Sequence, residues 1–113
     1  DCISVSSYGR KTTPSRKVVF HPHLKISVRG AHVLLVDDIL DTGSTLRKLV
    51  RFLRSLQPAS VEVCVLLRKR IRRSAMVRAR FVGFDIPDRF VYGYGLDIGE
   101  KFRNLPYIAC NSD

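Results

Sequence analysis

Long uncharged apolar runs are missing from this sequence: no window approaches the ~18 residues that a membrane-spanning helix needs. No N-terminal apolar run leads into a small-residue cleavage site either, so no signal peptide is expected. Cysteine is scarce, and Cys2, Cys64 and Cys110 are odd in number and far apart, which excludes a disulfide framework and the paired spacing of a zinc cluster. Their apolar neighbours predict buried thiols. These absences together predict a soluble, cytoplasmic protein in a reducing compartment. Acidic residues are outnumbered, 10 against 20 Lys and Arg, for a net charge of +10. Such a field attracts polyanions without choosing among them. Helix-turn-helix patterning, zinc-finger spacing, a glycine-rich KH loop and interleaved exposed aromatics are all lacking, so the motifs give no reason to expect nucleic acid as a partner.

A chain of 113 residues has room for one compact core and is too short for two ordinary domains, so a single catalytic domain over residues 1–113 is expected. The apolar share of 45% argues against a disordered tail. Asp1 to Ser7 reads as a short strand. Tyr8 to Pro22 turns rich in Gly, Lys, Thr, Ser and Pro, with the apolar Val18 to Phe20 inside it, and predicts a mobile loop over about 7–20 that closes into a small hairpin. Leu24 to Gly30 is a connector. Val33, Leu34, Leu35 and Val36 carry no polar residue and run into Asp37 and Asp38, the pattern of a central parallel strand buried on both faces. Leu46, Leu49, Val50, Leu53 and Leu56 then mark one face of a helix that Pro58 ends. Val61 to Leu67 is the next strand, completing a strand-helix-strand unit with a right-handed crossover. Arg68 to Arg80 has no useful apolar stripe and reads as a surface excursion. Phe81 to Phe84, the glycine-interrupted Val91 to Leu96 and Tyr107 to Cys110 are short strands. The fold class is therefore α/β.

The segment Asp37-Asp38-Ile39-Leu40-Asp41-Thr42-Gly43-Ser44-Thr45 carries the most chemistry. Three carboxylates in five positions repel one another unless a cation, ligand hydroxyls or protein donors answer them. Thr42 to Thr45 open a helix, where free backbone N–H groups and small hydroxyls form a cradle for an anion. A sugar phosphate spans both halves. A capping role explains Asp41 or Thr42 and leaves Gly43 and two acids unaccounted for. Further on, Lys69 read by itself is a solvated charge, Phe90 a core aromatic, and Asp97 with Arg103 a surface ion pair.

The acidic segment resembles the phosphoribosyl diphosphate-binding motif of type I phosphoribosyltransferases. Val82-Gly83-Phe84-Asp85-Ile86-Pro87-Asp88 and Tyr94-Gly95-Leu96-Asp97 are similar to the hypoxanthine-guanine branch of that family, and the likeness covers essentially the whole chain. It implies a mostly parallel sheet flanked by helices and a Mg-dependent transfer. The 5-phosphoribosyl group would pass from phosphoribosyl diphosphate to hypoxanthine or guanine, giving IMP or GMP and pyrophosphate. It further implies that Asp37 and Asp38 face the ribose hydroxyls, that Asp41 is the general acid or base at purine N7, and that Thr42, Gly43, Ser44 and Thr45 hold the 5-phosphate. Lys69 would bond the 6-oxo group, Phe90 stack on the base and Val91 supply backbone contacts. Asp97 would ligate Mg, with Asp37 and Asp38 as further candidates. Arg103 would meet pyrophosphate, and Ser7 and Tyr8 would open the lid. A homo-oligomer is expected.

Members of that branch carry an N-terminal region with the pyrophosphate-binding loop ahead of the point where this sequence starts. Nucleotide binding in excess of transfer is therefore expected of these 113 residues alone. The alternative reading is a regulatory nucleotide- or RNA-binding protein on a phosphoribosyltransferase scaffold, with Arg70, Arg72 and Arg73 as its extra charge.

Overall fold

The computed structural model describes residues 1–4, 22–72 and 77–112. Three strands, β1 (His32–Leu40), β2 (Ser60–Lys69) and β3 (Phe81–Ile86), form a parallel sheet in the order β1-β2-β3. The helix α1 (Ser44–Ser55) connects β1 to β2, since parallel neighbours cannot be joined by a tight turn. Two short strands, β4 (Val91–Tyr92) and β5 (Ala109–Cys110), pair antiparallel in a separate ribbon.

Periodicity explains the packing. Leu46, Leu49 and Leu53 fall on one side of α1 and are buried. Leu46 and Leu49 meet Leu40, Val63 and Val65 in the core, with Leu35, Val50, Val77 and Val82 packed around them. Each fully buried Leu or Val contributes about 1.5–3 kcal/mol. The helix ends as Leu56 N–H turns back to Leu53 O at 3.1 Å, two residues before Pro58. Arg68, paired in register with Asp85 of β3, grips its carboxylate with two hydrogen bonds, Nε to Oδ1 at 2.6 Å and Nη2 to Oδ2 at 3.0 Å.

Among the described residues the central parallel strand is β2, and β1 has β2 as its one neighbour. Burial along β1 alternates, and Leu34 and Val36 are 53% and 67% exposed, because among the described residues α1 covers one face and nothing covers the other. An all-apolar run does not distinguish a strand covered on both faces from one covered on a single face. Asp1 to Ser4 form no strand. The Asp1 carboxylate instead accepts the backbone N–H groups of Lys25 at 2.6 Å and Ile26 at 3.3 Å, which pins the segment through a side chain. Arg68 and Lys69, expected in the surface excursion, are the last residues of β2, and Lys69 is buried. Cys2 and Cys110 are exposed and Cys64 is half-buried; all three are free, so the expected burial of the thiols does not hold. The expected lid, with Ser7 and Tyr8, lies outside the described residues, as does Arg73. No helix among the described residues is long and apolar enough to cross a membrane.

Candidate active site

All three strands of the sheet point their carboxyl ends the same way, and the acidic turn leaves β1 there. Asp37 and Asp38 occupy the closing half of β1. Asp38 donates its backbone N–H to Asp37 Oδ1 at 2.8 Å. Burial pushes the Asp37 carboxyl above its ordinary value of 3.8; that N–H opposes the shift, and contact with the Asp38 carboxyl and its charge add to it. The structure thus brings the two acids together, with Asp37 half-buried and Asp38 exposed.

Gly43 occupies the cap position of α1 in the left-handed region, at φ 82°, and gives no side-chain cap. It is buried, with the site of a missing Cβ 3.4 Å from Leu40 Cδ1 and 3.7 Å from Val77. Neither Asp41 nor Thr42 caps the helix, which answers the capping alternative. Thr42 Oγ1 accepts only a long contact from Ser44 N–H at 3.4 Å. No acidic side chain stands in the first turn, and Ser44 and Thr45 are exposed. Among the described residues nothing beyond that long contact takes the first-turn donors of α1, which leaves them to an anion.

β2 delivers Lys69 to the same end of the sheet. Lys69 pairs in register with Ile86, so the Pro87-Asp88 turn follows directly beside it, with Phe90 two residues further on. The Lys69 side chain is only 10% exposed, yet its Nζ reaches Asp41 Oδ2 at 3.0 Å and lies 3.9 Å from Asp88 Oδ1. An ammonium withdrawn from water needs such carboxylates. Phe90 is 56% exposed, which sets aside the core-aromatic reading and leaves a ring face available for stacking. Val91 opens β4.

Asp97 and Arg103 form a second group within the β4–β5 region. Arg103 Nη2 lies 3.4 Å from Asp97 Oδ2, and its Nη1 donates to Gly95 O at 3.1 Å. Asp97 Oδ2 also accepts the Glu100 N–H at 2.7 Å. The described residues contain no cluster of three His, Cys, Asp or Glu able to hold a metal, so Asp97 does not join Asp37 and Asp38 in one ligand set. Asp88 was not singled out from sequence. Its signal is the strand register that puts Ile86 beside Lys69, and register is not written in a single strand's composition.

A cleft of about 610 Å³ runs beside β1, with Asp37 and Thr45 in its wall. Its wall combines β1 with the first residues of the chain, the connector before β1 and α1, and Asp41, Lys69 and Phe90 do not line it. The convergent polar groups, rather than that cleft, mark the candidate site.

A sequence model of the phosphoribosyl transferase domain matches residues 1–98. The hypoxanthine-guanine phosphoribosyltransferase of Bacillus subtilis (strain 168) is 46% identical over 109 residues, which make up 96% of this chain and 61% of that protein. The hypoxanthine phosphoribosyltransferase of Escherichia coli (strain K12) is 44% identical with the same coverage. The chain thus spans about 61% of the length of these curated relatives. Among solved structures, a hypoxanthine-guanine phosphoribosyltransferase from Bacillus anthracis superposes with a TM-score of 0.79 at 41% identity, covering 97% of this chain and 65% of that one. The Trypanosoma cruzi hypoxanthine phosphoribosyltransferase in complex with the product IMP gives 0.76 at 39% identity, covering 81% and 50%. With the parallel sheet, the acidic turn and the open helix terminus already in place, these matches show that the chain belongs to the phosphoribosyltransferase family.

Proposed function

We propose that residues 1–113 form a single catalytic unit for transfer of the 5-phosphoribosyl group from phosphoribosyl diphosphate to hypoxanthine or guanine. IMP or GMP and pyrophosphate would be the products. The observation that carries this reading is the Asp41–Lys69 pair, 3.0 Å apart, beside an uncapped helix terminus at the carboxyl ends of parallel strands.

The N–H groups and hydroxyls from Thr42 to Thr45 take the 5-phosphate, and Asp37 and Asp38 take the ribose hydroxyls. Lys69 donates to the 6-oxo group of the purine, whose N7 then faces Asp41, while Phe90 covers the ring and Val91 offers its backbone. An adenine amino group would set donor against donor at Lys69, a mismatch costing about 1–3 kcal/mol. As N9 attacks the anomeric carbon, Asp41 accepts or shares the N7 proton. Arg103 neutralises the departing pyrophosphate.

Mg fits the donor set. Two carboxylates side by side, one with its titration pushed up by burial and by its neighbour, are relieved by a divalent cation. Mg accepts one or two carboxylates and completes its shell with water and substrate oxygens. Asp37 and Asp38 would hold such an ion, and Asp97, which stands apart from them among the described residues, would ligate a separate one. When bound, it supplies positive charge against the leaving group. The same reading makes the protein cytoplasmic and self-associating.

Calorimetric titration with IMP, GMP and AMP, alongside a coupled assay of pyrophosphate release, tests the proposal. Saturable binding of the two 6-oxopurine nucleotides, weaker by about tenfold or more for AMP, is expected. Equal binding of all three overturns the purine assignment.

A further inference from the structure

Away from the strand ends, a groove of about 460 Å³ lies between α1, β2 and the segment entering β3. Arg47, Arg51 and Arg54 of α1 and Arg78 opposite them line it. All four are exposed. The helical three are spaced four and three residues apart and share one face; at 1.5 Å per residue they span about 10 Å of axis. Valines between them, among them Val50 and Val63, give the aliphatic stems a surface to lie on.

These arginines are not spent on internal pairing. Arg68, Arg80 and Arg103 each hold a carboxylate, whereas none of the groove four has a salt bridge among the described residues. Glu62 is the acid in the groove wall, and it is engaged by Arg80 at 3.2 Å. Helix energetics explain one of the four: Arg54 stands in the last turn, where the helix field favours a cation. Arg47 sits one turn from the opposite end, where that field opposes it. Like charges three and four residues apart also repel.

The lining limits the ligand. Among the described residues it contains no aromatic ring and no Asn or Gln, so they can neither stack an unpaired base nor read a base edge. A small nucleotide would leave its base without a partner. Guanidinium forks in a row match phosphate oxygens in a row. The geometry points to the phosphodiester backbone of a nucleic-acid duplex as the ligand of this groove, held without sequence reading. The sequence motifs that gave no reason to expect nucleic acid are those of base readers, and a backbone groove shows none of them. This inference is independent of the proposed transfer reaction, because no groove residue belongs to the candidate active site.

Fluorescence anisotropy with a short duplex RNA and a duplex DNA of the same sequence, titrated against the 113-residue chain at several salt concentrations, tests it. If all four arginines engage phosphates, log K should fall with log salt at a slope of about −3.6. Replacing two of them together, Arg51→Ala with Arg54→Ala, should weaken binding about tenfold or more and flatten the slope by about two. Both sites are exposed, and circular dichroism checks the fold. Preference for the RNA duplex assigns the groove to RNA, and equal binding assigns it to the backbone common to both. Absence of binding at low salt overturns the inference, as does parent-like affinity in the double variant. Tighter binding of a polyglutamate peptide than of either duplex, lost in the same variant, also overturns it and makes the partner an acidic protein.

Discussion

Lys69 Nζ donates to Asp41 Oδ2 across 3.0 Å, joining positions 28 residues apart in sequence. The group proposed to exchange a proton at purine N7 and the group proposed to read the 6-oxo position are one ion pair before any base arrives. Asp41→Asn therefore does more than remove a proton acceptor. It leaves a buried ammonium with a weaker partner, at a cost of about 1–2 kcal/mol, kept low because the Asp41 side chain is 51% exposed. Chemical denaturation of Asp41→Asn, Lys69→Met and the double variant measures it. A coupling of about 1 kcal/mol is expected, and additive losses would mean that the pair does not stabilise the fold.

Turnover gives the same pair a second test. In a full-length context, with the N-terminal region of the branch supplied, Asp41→Asn should lower the rate of pyrophosphate release by about 10²–10⁴. Lys69→Met should reduce use of hypoxanthine and guanine more than any use of adenine, because the lost donor serves only 6-oxo purines. Competition among the three bases separates these outcomes. A uniform loss in Lys69→Met would reduce its role to support of Asp41.

Much of this site was legible in the chain because it is local. Asp37 to Thr45 spans one strand end, one turn and one helix start, and nearest-neighbour chemistry is enough to place an anion cradle there. The helix followed from its leucine spacing in the same way. The long-range relations were not legible: which strand is central, that Lys69 turns inward while Arg70 beside it stays exposed, and that Asp88 stands near it. Those depend on register between β2 and β3, and Arg68 and Lys69 looked like part of a charged surface run until alternation along β2 separated them.

Two glycines show how backbone geometry beyond the site can be tested. Gly93 and Gly95 both lie in the left-handed region, at φ 89° and 94°, where any other residue costs about 1–2 kcal/mol. A Cβ on Gly93 would also strike the backbone oxygen of Tyr107, whereas one on Gly95 meets nothing within 4 Å. Gly93→Ala should therefore lower Tm by clearly more than Gly95→Ala. Equal losses would show that the backbone angle, rather than the close approach of residue 107, sets the requirement.

The raised titration of Asp37 makes a prediction about pH. A carboxyl whose folded pKa exceeds its unfolded value contributes stability that is fully present below the unfolded pKa and lost as pH rises through the folded one. Here the largest cause is burial, with Asp38 adding to it, so at neutral pH the ionised Asp37 works against the fold. Asp37→Asn mimics the protonated side chain and removes that penalty. In chelator at pH 7 the variant should melt above the parent, and the gap should close as pH falls below the ordinary carboxylate value of 3.8. Adding Mg at pH 7 should raise the parent Tm and leave Asp37→Asn nearly unmoved, since the cation offsets the charge that the variant no longer has. Thermal melts across pH, with and without Mg, read both effects. A gap that does not change with pH would show that Asp37 ionisation does not destabilise the fold, and a Mg response equal in the two proteins would take Asp37 out of the proposed metal site.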